Sequence, residues 1–175
     1  MPGTMSTSRI VSIAALAVLA GCVPASAQTR DTAAVVQRLE DRAEIDRLLL
    51  DYGRTLDARD FRSYSLLFAR DGIWSGGMGT VQGHRRIQEF MEKAIPGPNT
   101  AHNYHILSNF IIDVNGDTAT AWSRWTFMVP GPNNTAVAAQ SGRYDDTLIR
   151  EDGHWRFKKR VASNDIPAGG PPRQK

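Results

Sequence analysis

The chain has 175 residues, of which 22% are charged and 41% are hydrophobic, and it contains one cysteine. Its 21 Lys and Arg residues against 18 Asp and Glu residues give a net charge of +3, and the two signs alternate along the chain. This balance argues against a nucleic-acid-binding protein, because such proteins concentrate positive charge on one face. A single cysteine excludes an internal disulfide.

The N-terminal segment has the pattern of a secretory signal. Arg9 precedes an apolar stretch of small residues at positions 10–20. This stretch is shorter than the roughly 20 apolar residues of a permanent transmembrane helix. We therefore expect export, with the protein periplasmic, and we exclude the segment from the fold.

Two processing sites compete within this segment, and the sequence does not choose between them. Residues 25–27 (ASA) fit ordinary signal peptidase, which would release a signal of residues 1–27. Residues 19–22 (LAGC) resemble a bacterial lipobox, in which a signal of residues 1–21 is removed and Cys22 is acylated. Contact with a membrane is expected only through a lipid on Cys22.

The mature chain is predicted to be one domain over residues 28–166, followed by a loose tail over residues 167–175. A chain of this length buries about 70% of its unfolded surface as a single domain. The tail (PAGGPPRQK) has too little apolar content to pack.

Three helices are predicted in the first half of the chain. Residues 31–57 contain no proline and repeat apolar residues at steps of three and four, which predicts a helix with one apolar stripe. Asp60 can cap a second helix that continues through Phe68 and stops at residues 71–72. A short strand and a glycine-rich stretch follow, and the third helix is predicted at residues 84–94.

Four strands are predicted in the second half, at residues 104–114, 117–129, 135–150 and 154–161. Asn115 and Gly116 give a strong hairpin signal between the first two. Helices followed by long strands indicate an α+β fold, with the helices on one face of a curved, mostly antiparallel sheet. A short basic run, Lys158-Lys159-Arg160, alternates between two faces of the last strand and indicates a solvated edge.

Three segments carry a resemblance to a known family. They are residues 52–74 (YGRTLDARDFRSYSLLFARDGIW), 102–125 (HNYHILSNFIIDVNGDTATAWSRW) and 142–161 (GRYDDTLIREDGHWRFKKRV). In this order they resemble the SnoaL-like branch of the nuclear transport factor 2-like superfamily. The resemblance implies a cone-like fold in which about three N-terminal helices and the sheet enclose a pocket.

The resemblance also implies a catalytic set. In scytalone dehydratase, bile-acid 7α-dehydratase and hexachlorocyclohexane dehydrochlorinase, a tyrosine, an aspartate and a histidine line the pocket, and the matching residues are Tyr52, Asp57 and His105. An imidazole can take a C–H proton at neutral pH, and a carboxylate on its other nitrogen fixes the tautomer. The implied activity is that of a lyase or isomerase acting on a small apolar or polycyclic molecule.

Two departures from these enzymes bear on the reaction. Val129 stands where bile-acid dehydratase has a second acid, and no second histidine occurs between His105 and His154. Expulsion of a poor leaving group would be unassisted without these groups. The sequence therefore favours proton abstraction over dehydration.

The residues themselves leave the roles of this set open. Asp57 could be a solvated helix terminus, and Tyr52 could be a core residue. Asp57 follows Tyr52 by five positions, which on an ideal helix turns their side chains about 140° apart. Both could reach one pocket only if the helix unwound near Asp57. Strand alternation places His105 on the outer face, and a β-bulge would turn it inward.

Four further residues are predicted to bind substrate: Phe68, Trp74, Trp125 and Arg143. Arg143 and Arg150 lie an odd number of residues apart, so at most one of them can reach the pocket from a regular strand. His102 and His105 fall on opposite strand faces with no third ligand nearby, which argues against a metal site.

No cofactor motif is found, and the expected partner is a small-molecule ligand. Two rivals to an enzyme remain: a non-catalytic binding or dimerising module of the same fold, and a tethered accessory lipoprotein. A homodimer is expected, because the fold exposes a broad sheet face.

Overall fold

The computed structural model of this chain describes residues 25–166. The predicted lipidation site at Cys22 and the predicted tail at residues 167–175 lie outside the described residues. Within them, no helix is long and apolar enough to span a bilayer.

Helices precede long strands in the chain, as predicted. The elements are α1 (Ala25–Asp57), α2 (Phe61–Ser65), β1 (Phe68–Gly76), β2 (Gly79–Gln82), α3 (His84–Ala94), β3 (Tyr104–Asn115), β4 (Thr118–Pro130), a 3-10 turn (Pro132–Asn134), β5 (Ala136–Glu151) and β6 (His154–Ile166).

One six-stranded sheet carries the fold, in the order β2-β1-β6-β5-β4-β3. The neighbours are antiparallel except β1 and β6, which run parallel. Helix α1 packs against β3 and β6, and α3 packs against β1 and β2. The predicted α+β class, with helices on a mostly antiparallel sheet, is confirmed.

The apolar stripe of α1 forms one side of the core. Its members are all buried: Ile45, Leu48, Leu49, Tyr52 and Leu56. They pack against inward-facing side chains of the sheet, among them Phe68, Trp125, Tyr144 and Phe157. The period of three and four therefore identified the buried face of this helix correctly.

Helix α2 is shorter than predicted. Asp60 caps it by accepting a hydrogen bond from the Ser63 N–H at 3.0 Å, but the helix ends at Ser65. The Phe157 N–H donates to the Leu67 carbonyl at 3.0 Å, and Phe68 pairs with Phe157. Because of this pairing with β6, residues from Phe68 onward form a strand rather than more helix. A Cβ at Gly72 would lie 2.6 Å from the Phe157 carbonyl oxygen, so glycine permits this close approach.

A buried carboxylate ties α1 to the sheet. Asp41 accepts hydrogen bonds on one oxygen from Arg150, from Gln37 at 3.0 Å and from the Trp155 indole at 3.4 Å. Burial opposes the charged form of Asp41, but these donors outweigh it and hold the pKa of that carboxyl below its ordinary value. The cluster therefore stabilises the fold in its ionised form.

This pKa shift predicts a loss of stability in acid. Because the folded-state pKa is depressed, the contribution of Asp41 is complete above the ordinary aspartate pKa of about 3.9 and is lost as the pH falls through the lower folded value. Asp41→Asn should lower the free energy of unfolding by about 2–3 kcal/mol at pH 7. The variant should also lose less stability than the wild-type protein as the pH falls. Urea unfolding from pH 7 to pH 2 measures both effects.

Asp117→Asn is the matched control, because Asp117 also pairs with Arg150 but is 81% exposed. Its loss should change the free energy of unfolding by less than about 1 kcal/mol. Equal effects of the two substitutions would contradict the role assigned to Asp41.

Burial of Phe68 gives a second prediction. Its side chain is fully buried and contacts the rings of Tyr52, Tyr64 and Phe157. Phe68→Ala should lower the free energy of unfolding by roughly 3–5 kcal/mol, as measured by urea denaturation. The nearby Leu66→Ala should stay within about 0.5 kcal/mol, because Leu66 is half exposed. A change of similar size in both variants would contradict the packing described.

Candidate functional site

A pocket of about 490 Å³ lies between the helices and the inner face of the sheet. Its aromatic walls are Tyr52, Tyr64, Trp74, Trp125, Phe127 and Tyr144. Polar groups reach it from Arg59, His105, Gln140 and Asn164. An apolar body with a few polar groups is typical of sites for small molecules, which have volumes of about 300–1,000 Å³.

His105 and Asp57 form a hydrogen-bonded pair beside this pocket. The His105 ring Nδ1 lies 2.6 Å from Asp57 Oδ1, and the His105 backbone N–H donates to Asp57 Oδ2 at 2.8 Å. An ionised carboxylate only accepts, so in the neutral imidazole Nδ1 carries the proton and Nε2 has the free lone pair. Within residues 25–166, Nε2 has no hydrogen-bond partner. Two contacts with Asp57 thus fix the imidazole so that Nε2 is the nitrogen available to a ligand.

The end of α1 places Asp57 without any unwinding of the helix. The helix continues to Asp57, and this side chain reaches the start of β3 rather than the pocket, whereas Tyr52 lines the pocket directly. Unwinding is expected only if both side chains reach the pocket, and here Asp57 acts through His105 instead. Asn99 fastens the loop before β3 by donating to the Asp57 carbonyl at 3.0 Å and the Asn103 carbonyl at 2.6 Å.

A β-bulge in β3 turns His105 inward. The register of β3 on β4 shifts between Ser108 and Ile111, and Asn109 has a positive φ of 57°. The extra residue exchanges the two faces of the strand, so His105 lies over Phe127 with ring centroids 4.8 Å apart. Ile106, which simple alternation placed in the core, is exposed instead.

The hairpin turn also differs from the prediction by one residue. Asn115 pairs with Thr118, so Gly116 and Asp117 occupy the turn. Gly116 has a positive φ of 59°, which glycine adopts without steric cost.

The Trp125 ring lies against Gly142 of β5, where any larger residue would collide with it. A Cβ at Gly142 would be 2.6 Å from the Trp125 ring. The Trp125 indole N–H donates to the Arg143 carbonyl at 3.3 Å. The absence of a side chain at residue 142 therefore allows the indole to form the part of the pocket wall near His105.

A cluster of hydroxyl and indole groups lies at the buried part of the pocket. The Tyr52 oxygen accepts hydrogen bonds from the Tyr64 hydroxyl at 2.8 Å and from the Trp74 indole N–H at 3.1 Å. Burial raises the pKa of Tyr64 and of Tyr144 well above the ordinary tyrosine value, and the neighbouring Tyr52 raises both further. Both phenols therefore stay protonated, and Tyr64 is the one that donates to Tyr52.

A buried ion pair lies beneath this cluster. Arg160 donates to both oxygens of Asp146, at 2.8 and 2.6 Å, and both side chains are fully buried. The guanidinium lies 4.0 Å from the centroid of the Tyr52 ring and 4.1 Å from that of Tyr144. The predicted solvated edge is therefore wrong for Arg160, because β6 is a central strand and this residue faces the helices.

The remaining predicted site residues divide into two groups. Trp74 and Trp125 line the pocket. Phe68 lies behind its wall in the core, and Arg143 pairs with Asp145 and Asp165 on the opposite face of the sheet. The expected substrate contact of Arg143 is thus corrected, because odd-numbered positions in this part of β5 face away from the helices.

Sequence reasoning did not identify Arg59, Tyr64, Tyr144, Gln140 and Asn164 as pocket residues. The strand alternation of β5 offered a signal for two of them, since Gln140, Gly142 and Tyr144 share one face. Among the residues the structure describes, no group of three or more His, Cys, Asp or Glu side chains is arranged to hold a metal ion.

Comparison with known proteins agrees with this architecture. A sequence profile described as a SnoaL-like domain matches residues 37–161. The uncharacterized protein Rv2910c of Mycobacterium tuberculosis is 31% identical over 131 residues, which cover 72% of this chain and 86% of that protein.

Two solved structures from Novosphingobium aromaticivorans show the same fold. One is described as an NTF2-like protein with a cystatin-like fold (26% identity, TM-score 0.70, covering 82% of this chain and 92% of that one). The other is described as a putative scytalone dehydratase (21% identity, TM-score 0.61, covering 81% and 99%). With the profile match over most of the chain, these findings show that the protein belongs to the SnoaL-like domain family.

Proposed function

We propose that this protein is a cofactor-independent lyase or isomerase that removes a proton from carbon in a small, largely apolar molecule. The observation that carries the proposal is the 2.6 Å contact between His105 Nδ1 and Asp57 Oδ1, which leaves Nε2 as a free base at the pocket. The shared fold and the dehydratase description of one structural neighbour support it.

The proposed step transfers a C–H proton of the ligand to His105 Nε2. The C–H electron pair moves into the ligand as an enolate, and Asp57 stabilises the imidazolium that forms. Tyr52 lines the pocket, and in this proposal its hydroxyl donates to the developing negative charge on a ligand oxygen. Return of the proton at another carbon gives isomerisation, and loss of a leaving group gives elimination.

The walls of the pocket indicate the kind of ligand. Six aromatic side chains surround the space, and flat rings stack on such surfaces at little entropic cost. None of the side chains that line the pocket is an Asp or a Glu. A carboxylic acid is therefore not at hand to protonate a leaving group, which favours isomerisation or loss of a good leaving group.

A non-catalytic container is the second candidate. The same absence of a lining acid favours it, because binding requires only the apolar walls. The two candidates differ in one respect: the enzyme requires the His105–Asp57 pair for turnover, whereas the container would bind equally well without it.

Proton exchange distinguishes these candidates without knowledge of the natural substrate. We expect the protein to catalyse deuterium incorporation next to the carbonyl of some members of a panel of cyclic ketones in D2O, followed by NMR. His105→Ala and Asp57→Asn should each slow this exchange by about 100-fold or more. The double variant should lose little more, because the two residues act as one unit.

His154→Gln is the control, because His154 is exposed and lies outside the pocket. It should leave the exchange rate unchanged. Tight binding of panel members without exchange above the solution rate would overturn the enzyme and leave the container.

We also propose that the chain is exported and processed at one of the two predicted sites. The proposal rests on the sequence of the first 27 residues. The intact mass of the protein from the bacterial envelope should match a chain beginning at Gln28 or at an acylated Cys22. Cys22→Ser should release the protein from membranes only in the second case, and a mature chain beginning elsewhere would contradict both.

A further inference from the structure

Arg59 lines the pocket and has an unusual backbone conformation. It is the second residue after the end of α1 and has a positive φ of 59°. The Arg59 N–H donates to the Leu56 carbonyl at 3.1 Å and the Asp60 N–H to the Thr55 carbonyl at 3.0 Å, which is the Schellman arrangement of a helix end. Glycine is the residue that fits this position without steric cost, so an arginine here carries a backbone penalty.

The guanidinium of Arg59 is also without an acidic partner. Its Nη1 donates to the Leu56 carbonyl at 3.0 Å, and within residues 25–166 its Nε and Nη2 make no hydrogen bond. Two acidic residues lie close in sequence: Asp60 accepts a hydrogen bond from the Ser63 N–H, and both carboxylate oxygens of Asp57 are occupied by His105. One edge of a planar cation is therefore free in the pocket that the proposed base also lines.

Two other arginines of the described chain have an acidic partner. Arg54, on the preceding turn of the helix, pairs with Asp51 at 2.9 Å, and Arg160 pairs with Asp146. Among the side chains that line the pocket, Arg59 is the permanently charged one. The polar neighbours Gln140 and Asn164 are neutral amides, which do not distinguish an anion from a neutral ligand.

We propose that Arg59 binds a carboxylate of the ligand, whose apolar ring lies against the aromatic walls. The Nε–Nη2 edge offers two parallel donors that match the two oxygens of a carboxylate. A monoanion fits better than a phosphate ester, because the lining supplies one fixed positive charge. This specificity rests on the pocket of the proposed function but not on turnover by His105.

Calorimetric titration with two probes of equal shape tests the assignment. The probes are 2-naphthoate and its neutral amide, 2-naphthamide, at pH 7.5. The wild-type protein should bind the carboxylate at least about tenfold more tightly than the amide, because hydrogen bonds to charged groups are the stronger ones. Arg59→Gln should abolish the preference, and Arg59→Lys should keep part of it.

Two variants separate binding from folding. Arg62→Gln removes an exposed arginine close in sequence that does not line the pocket, and the preference should remain. Arg59→Gly should abolish the preference without lowering the melting temperature, since glycine suits the positive φ. A clear fall in melting temperature for Arg59→Gly would show that Arg59 serves the fold and would overturn the proposal.

The remaining outcomes distinguish this proposal from the proposed reaction. His105→Ala should keep the carboxylate preference, because Arg59 acts on the bound ligand independently of the base. Equal affinity of the wild-type protein for both probes would overturn the carboxylate assignment alone. Failure of both probes to bind at millimolar concentration would contradict the ligand pocket itself and, with it, this proposal.

Discussion

The ion pair between Arg160 and Asp146 is the contact on which the buried end of the pocket depends. It joins the two central strands β5 and β6, where water cannot reach either charge. Burial raises the pKa of Asp146 and Arg160 opposes that rise, so each group requires the other. The same guanidinium lies against the rings of Tyr52 and Tyr144 and thereby fixes two pocket side chains from behind.

One backbone irregularity brings His105 and Asp57 together. Asp57 is the last residue of α1 and reaches the start of β3. The bulge at Asn109 turns His105 toward it, and a β3 that was regular throughout would place the imidazole on the outer face. Asn109 has a positive φ at this bulge, and Arg59 has one at the helix end that follows Asp57.

The pocket therefore brings two chemically different sets of polar groups together between aromatic walls. One set is centred on the Tyr52 oxygen, which accepts hydrogen bonds from Tyr64 and Trp74. The other consists of the His105 imidazole and the Arg59 guanidinium, which line the same space. An aromatic ring compound with polar groups would contact both sets.

The sequence by itself determined the α+β class, the buried stripe of α1 and helix α3, because apolar periodicity reports burial directly. The three matched segments also indicated Tyr52, Asp57 and His105 as one group. Tertiary structure decided the rest. Pairing with β6 ended α2 at Ser65, a one-residue bulge exchanged the faces of β3, and a central position in the sheet buried Arg160 within a basic run. Such outcomes depend on contacts between strands far apart in sequence, which local patterns do not encode.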